Sequence, residues 1–245
     1  GQALPLRMIK RESAYIGSRL GCMVSPTPQA RSFRVQFDGA YAEETLGEAE
    51  LNAEALPTEQ LQSAINWSFA DQHNGKVVRT EALLVLKGGK LLIEKYGSGT
   101  TKSKPLQGWS MSKSITSAML GRLVQFGRVN IKSPAPVSEW QGPNDLRRTI
   151  TWENLLRMNS GLKFTEAYDE SKSDVNTMLF ASPDMGAFAA NKQLLSRPGQ
   201  KWVYSSGSTN ILSRAMRTRF PTHQQYIDFP HQELFAKIGM SSAAF

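Results

Sequence analysis

Serine is the residue through which this chain could do covalent chemistry. The run Ser110-Met111-Ser112-Lys113 places a lysine three positions after a serine. On a helix, positions i and i+3 share a face and side chains lean toward the N-terminus, so the Lys113 amine can reach back to the Ser110 hydroxyl. A neutral amine there can take the serine proton, and the backbone N–H groups left open at a helix start can face a developing oxyanion. The spacing alone decides little. With 25 Ser and 14 Lys in 245 residues, about 1.4 such matches arise by chance, and Ser160-Gly161-Leu162-Lys163 is a second one. Position separates them. Ser110 follows a predicted strand pair and opens a predicted helix, whereas Ser160 closes one, where unpaired carbonyls repel an oxyanion. Ser110 is therefore the expected nucleophile, with a simple helix-capping serine as the other reading.

Other reaction centres are missing from the sequence. There is no Gly-x-x-x-x-Gly-Lys loop, no Gly-x-Gly-x-x-Gly and no His-Glu-x-x-His. A strict Gly-x-Ser-x-Gly elbow is also absent, although Gly108-Trp109-Ser110-Met111-Ser112 comes within one residue of it. His73, His223 and His231 have no partners at metal-ligand spacing, so each is expected at the surface or at a cap. Cys22 is the only cysteine, which excludes an internal disulfide and a thiolate cluster. No cofactor and no metal is expected.

The elements that must position Ser110 follow from apolar period and turn residues. Thr58 is expected to cap a helix to about His73, with Leu61, Ala64, Ile65, Ser68 and Phe69 on one stripe. Ala82 to Leu86 and Leu91 to Tyr96 read as a hairpin turned by Gly88-Gly89. The nucleophile helix should run from Ser110 to Phe126 and stop at Gly127. Thr151 should cap Trp152 to Met158, and Asp174 should cap Val175 to Phe180. Lys201 to Tyr204 reads as extended, followed by helices over Ser208 to Phe220 and Gln224 to Ile238. Before Thr58 the chain reads as an irregular arm punctuated by Pro5, Pro26, Pro28 and Pro57, with a short strand at Phe33 to Phe37. One hairpin and a few short strands make a small sheet for this length.

A second motif, Tyr204-Ser205-Ser206, lies 94 residues after Ser110. Together with Ser110-x-x-Lys113 it resembles the penicillin-recognising serine hydrolases: class C β-lactamases, DD-peptidases, related carboxylesterases and especially the 6-aminohexanoate-dimer hydrolases. Further stretches carry the likeness: Gly-Trp-Ser-Met-Ser-Lys-Ser at 108–114, Gly-Arg-Leu-Val-Gln-Phe-Gly at 121–127, Ile-Thr-Trp-Glu-Asn-Leu-Leu-Arg-Met-Asn-Ser-Gly-Leu at 150–162, Arg-Pro-Gly-Gln-Lys-Trp-Val-Tyr-Ser-Ser-Gly at 197–207 and Leu-Phe-Ala-Lys-Ile-Gly-Met at 234–240. The resemblance covers roughly residues 58 to 245. It implies an α/β (α+β), β-lactamase/transpeptidase-like fold, an antiparallel sheet with a mainly helical region. It implies that Ser110 is acylated, that Lys113 holds or shuttles its proton, and that Tyr204 is the general base and acid, partly as tyrosinate. Ser206 would touch substrate. Many β-lactamases have Asn where Ser206 stands, which favours ester or amide hydrolysis over lactam turnover; Asn210 lies about a helical turn away. The family's later strand motif, Lys-Thr-Gly or His-x-Gly, does not occur after Tyr204.

Composition sets the wider limits. With 40% hydrophobic and 20% charged residues, 19 Gly and 12 Pro, the chain is that of a globular protein. Its apolar runs are far shorter than the ~20 residues of a membrane span, and no hydrophobic signal core precedes them. The compartment stays open between periplasm and cytoplasm. Net charge is +8, but Lys102 with Lys104, Arg147 with Arg148, and Arg214, Arg217 and Arg219 are small groups without interleaved aromatics, so nucleic acid is not an expected partner. The expected organisation is an arm at 1–57, an α/β part at 58–126 holding hairpin and nucleophile helix, and a mainly helical part at 127–245. The sheet is expected to be incomplete, with further residues beyond Phe245 in the natural protein, or a second chain, completing it. The expected activity is hydrolysis of a small-molecule ester or amide. An inactive relative of the fold that binds a peptide, cell-wall or protein partner is the alternative.

Overall fold

The computed structural model of the protein describes residues 8–12, 19–24 and 58–243. The expected strand at Phe33 to Phe37 lies outside them. Within the expected N-terminal arm, β1 (Met8–Glu12) and β2 (Arg19–Val24) form an antiparallel pair, with Lys10 opposite Cys22. The described residues fall into two compact units, one taking 8–12, 19–24 and 107–234, the other 58–106 and 235–243.

In the second unit, helix α1 (Thr58–Ser68) ends five residues before the expected His73. Asn74 and Gly75 both have positive φ (50° and 76°), and this turn folds β3 (Gln72–His73) back on β4 (Lys76–Val77). That local turn overrides the continuing apolar stripe. The larger hairpin pairs β5 (Ala82–Lys87) with β6 (Lys90–Tyr96) around Gly88-Gly89, as the sequence predicts. A bare hairpin is marginal in water. Here the Thr80 hydroxyl donates to the Ser68 carbonyl at the end of α1, and the Lys95 amine sits 4.7 Å over the Phe69 ring.

The other unit is mainly helical. Its elements are α2 (Ser112–Gln125), α3 (Trp152–Leu156), α4 (Asp174–Ala181), α5 (Met185–Ala190), α6 (Ser206–Arg217) and α7 (His223–Pro230). Helix α6 packs against α2, α3, α4 and α5. It buries Ile211, Leu212, Ala215 and Met216, one face at helical spacing, among Met119, Leu123, Trp152, Leu155 and Met178. Each of the larger side chains contributes about 1.5–3 kcal/mol as an upper figure. Trp140 is wholly buried and its indole N–H donates to the Ala190 carbonyl at 2.8 Å.

Several expected boundaries move. The helix expected from Ser110 begins as a 3-10 turn, Trp109–Met111, and becomes α-helical at Ser112. Gly127 ends it with φ 68°. Helix α4 is capped by Ser173, whose hydroxyl accepts from Asn176 N–H, while the expected cap Asp174 binds Thr165 N–H and Lys192. Helix α6 starts two residues early, at Ser206. The helix expected over Gln224 to Ile238 breaks after Pro230 into a π-helical turn, His231–Phe235, and a 3-10 turn, Ala236–Ile238. Proline lacks the N–H and crowds the carbonyl one turn before it, so a regular helix is interrupted there.

The fold is mixed α/β: helices with small antiparallel sheets, which among the described residues are two-stranded.

Candidate active site

Ser110 is exposed, in the middle of the 3-10 turn that leads into α2. Trp109 before it has φ 42°, a left-handed conformation that costs a bulky residue on the order of 1–3 kcal/mol. Met111 occupies the N-cap of α2 and Gly108 that of the 3-10 turn, and neither end has a side-chain cap. Ser110 is therefore not a capping serine.

Lys113 stands on the first turn of α2. Its Nζ lies 3.0 Å from Ser110 Oγ, the reach that i, i+3 spacing predicts. The same Nζ is 3.1 Å from Ser206 Oγ and 4.9 Å from the centre of the Tyr204 ring.

Tyr204 arrives from the other side. Residues 199–204 are held along the loop after α3: Gly199 N–H donates to the Asn159 carbonyl and Val203 N–H to the Met158 carbonyl, each at 2.8 Å. Lys201 to Tyr204 is expected to be extended, and it reaches α6 as a loop tied by single bonds. It delivers the Tyr204 hydroxyl to 2.8 Å from Ser110 Oγ. The contact with Ser110 and the Lys113 ammonium group hold the Tyr204 phenol below its usual value, against partial burial. As a phenol Tyr204 donates to Ser110; as a phenolate it accepts the serine proton.

Ser205 caps α6, accepting from Ser208 N–H at 3.1 Å. Ser206, the first residue of α6, is buried and its hydroxyl meets two groups: it accepts from Lys113 and donates to Glu166 Oε1. Its N–H donates to Glu166 Oε2 at 2.8 Å. Gly207 lets this helix start approach Phe164, since a Cβ there would stand 2.6 Å from the Phe164 ring. Asn210 lies one turn further, with its amide on the Ser206 carbonyl at 2.9 Å.

Glu166 and Tyr168 escape sequence reasoning. The Tyr168 hydroxyl donates to Glu166 Oε1 at 2.8 Å, and burial, then this carboxylate, pushes the Tyr168 phenol upward. Nothing in their spacing marks them. The available signal is indirect: a serine that opens a helix offers N–H groups and a positive dipole end to some carboxylate.

The competing pair separates in space. Ser160 is buried, its hydroxyl accepting from Leu162 N–H at 3.4 Å, and among the described residues no hydrogen bond joins it to Lys163. His73 stacks on Trp67 and His223 accepts from Arg217 Nε. His231, expected at the surface or at a cap, takes the C-cap position of α7 and is fully buried there, and burial holds its imidazole below its usual value while Asp228 opposes. Among the described residues no three His, Cys, Asp or Glu side chains converge as a metal group, and no helix is long and apolar enough to cross a membrane. A cavity of ≈ 220 Å³ borders Lys113 between α2, the end of α3 and α6.

Solved structures that share the fold include the following two. A Bacillus anthracis protein named "Putative 6-aminohexanoate-dimer hydrolase" is 17% identical, with a TM-score of 0.54 over 96% of this chain and 56% of that one. A "putative beta-lactamase" from Bacteroides dorei DSM 17855 is 19% identical, with a TM-score of 0.54 over 75% of this chain and 51% of that one. At such identities the likeness is one of fold, and the chain spans about half the length of each. No curated protein matches. The family model for beta-lactamase matches residues 68–245, which is most of the chain, and this protein belongs to that family.

Proposed function

We propose that the protein is a serine hydrolase of carboxylic esters or amides that works through an acyl-enzyme on Ser110. The observation that carries this reading is that Ser110 Oγ lies within hydrogen-bond distance of both a lysine amine and a tyrosine hydroxyl, 3.0 Å and 2.8 Å away. A serine hydroxyl is a weak nucleophile unless an adjacent base removes its proton. Tyr204 as phenolate takes that proton while Lys113 keeps the phenolate charged. Ser110 Oγ then bonds to the substrate carbonyl carbon, the bond to the alcohol or amine breaks, and Tyr204 returns the proton to that leaving group. Water attacks the acyl-serine in the second half, releasing the acid and restoring Ser110.

Ser206 in place of Asn favours a linear ester or amide over a lactam. The name of the Bacillus anthracis neighbour makes 6-aminohexanoate dimer the first amide to try. The test is burst kinetics with an activated ester and covalent labelling by a fluorophosphonate. Labelling is expected to vanish in Ser110→Ala and persist in Ser160→Ala; equal labelling of both variants overturns the assignment. Ligand binding without any turnover would support a binding module instead.

A further inference from the structure

We propose that Glu166 is a positioning residue for the nucleophile, holding Ser206 and, through it, the Lys113 amine against Ser110. The inference rests on the serine hydrolase reading and adds a residue outside the motifs that carry it.

The hydrogen-bond directions make the argument. Glu166 grips Ser206 at two points, one carboxylate oxygen on the N–H and the other on the hydroxyl. An ionised carboxylate only accepts, so the single Ser206 hydroxyl proton is committed to Glu166. Ser206 Oγ is then left with lone pairs toward Lys113, and it can only accept from that amine, at 3.1 Å. One Lys113 N–H is thereby fixed on Ser206. The rest of the amine is turned to Ser110, 3.0 Å away. Without Glu166 the Ser206 hydroxyl is free to rotate, its lone pairs are no longer held toward Lys113, and the amine loses the contact that keeps it against Ser110.

Local structure holds Glu166 in place. Phe164, two residues before it, is buried against Gly207, and Thr165 N–H donates to the Asp174 carboxylate at 2.8 Å. Ser206 is the first residue of α6, where the open N–H groups and dipole favour an anion. The Tyr168 hydroxyl adds a donor to the same carboxylate at 2.8 Å. The charged and titratable groups around Tyr204 are Lys113 from α2, Glu166 from the loop before α4, and the Tyr168 phenol beyond it.

The experiment is a double-mutant cycle with Glu166→Gln and Ser206→Ala, read as the second-order rate of fluorophosphonate labelling of Ser110. Glutamine keeps the size but offers one acceptor oxygen for two donors. Each single variant is expected to lose at least tenfold, and the double variant no more than Ser206→Ala alone. Multiplied losses, or a wild-type rate in Glu166→Gln, overturn the proposal. The pH profile adds a readout that folding does not move: loss of the carboxylate charge eases ionisation of Tyr204, so the acid limb shifts to lower pH, and an unshifted limb counts against the role. If wild type and Ser110→Ala label alike, the hydrolase reading fails by itself. The positioning role is then decided by a crystal structure of Glu166→Gln, where retention of the Lys113 to Ser110 contact overturns it. If that variant does not fold, Ser206→Ala crystals answer the same question.

Discussion

A tyrosine that serves as base at neutral pH has to give up a proton usually held until about pH 10. Ser110 and Lys113 lower that value at Tyr204, whereas burial and the Glu166 charge oppose them. The sign follows directly. On the proposed mechanism the active form is the phenolate, so the rate should rise with pH up to a midpoint below that of a free tyrosine and then level. Tyr204→Phe removes the hydroxyl and leaves Lys113 beside Ser110. Its expected cost is roughly 10²- to 10⁴-fold in kcat/KM, the usual range for a positioned acid–base group. The Tyr204 limb of the pH profile should disappear from the residual activity. Tyr204 is 36% exposed, so thermal unfolding should stay near wild type. Unchanged turnover of an ester by this variant would place the base elsewhere.

At the scale of elements, the helices that carry Ser110 and Ser206 were legible in apolar period, and so was the hairpin in its glycine turn. The entry to α2 was not. A 3-10 turn and an α-helical turn present nearly the same spacing of side chains, so Trp109–Met111 reads as helix until the backbone is seen. Asp174 shows the same limit in a cap. Ser173 and Asp174 are both good capping residues, and only the fold brings Lys192 within 2.6 Å of the Asp174 carboxylate. Burial raises the Asp174 carboxyl, but Lys192 and Thr165 N–H outweigh it and the net shift is downward. A lowered folded value means stability present above the unfolded value of about 3.9 and lost as pH falls through the folded one. Asp174→Asn should therefore destabilise the protein by about 1.5–3 kcal/mol at pH 7, the range for a charge-assisted bond. The gap to wild type should narrow in urea melts as pH falls below the usual carboxylate range and through the lowered folded value. A gap that persists there would mean that Asp174 acts by packing rather than by charge.

For the whole molecule, the argument turns on how far apart in sequence the site's parts lie. Ser110 with Lys113, Glu166 with Tyr168, and Tyr204 with Ser206 come from separate segments, and 94 residues separate the two hydroxyls that meet at 2.8 Å. Of the two contacts to Ser110, only that of Lys113 is local. Lys113 reaches Ser110 in any helix that forms there, while Tyr204 reaches it only when the loop after α3 holds residues 199–204 and α6 packs on α2 and α3. Sequence reading could join Ser110 and Tyr204 by resemblance, and it missed Glu166 because that contact exists only after this packing. The same dependence is measurable. Trp140 and Trp152 are buried in the unit that holds the site and report its packing by fluorescence. In a urea titration, fluorophosphonate labelling of Ser110 should fall with the same midpoint as their fluorescence, since the tyrosine and the serine part when the core opens. Labelling that outlasts the tryptophan transition would show that the helix start with Ser110 and Lys113 is reactive without Tyr204. It would then carry the chemistry on four residues, and the long-range half of the site would serve substrate rather than proton transfer.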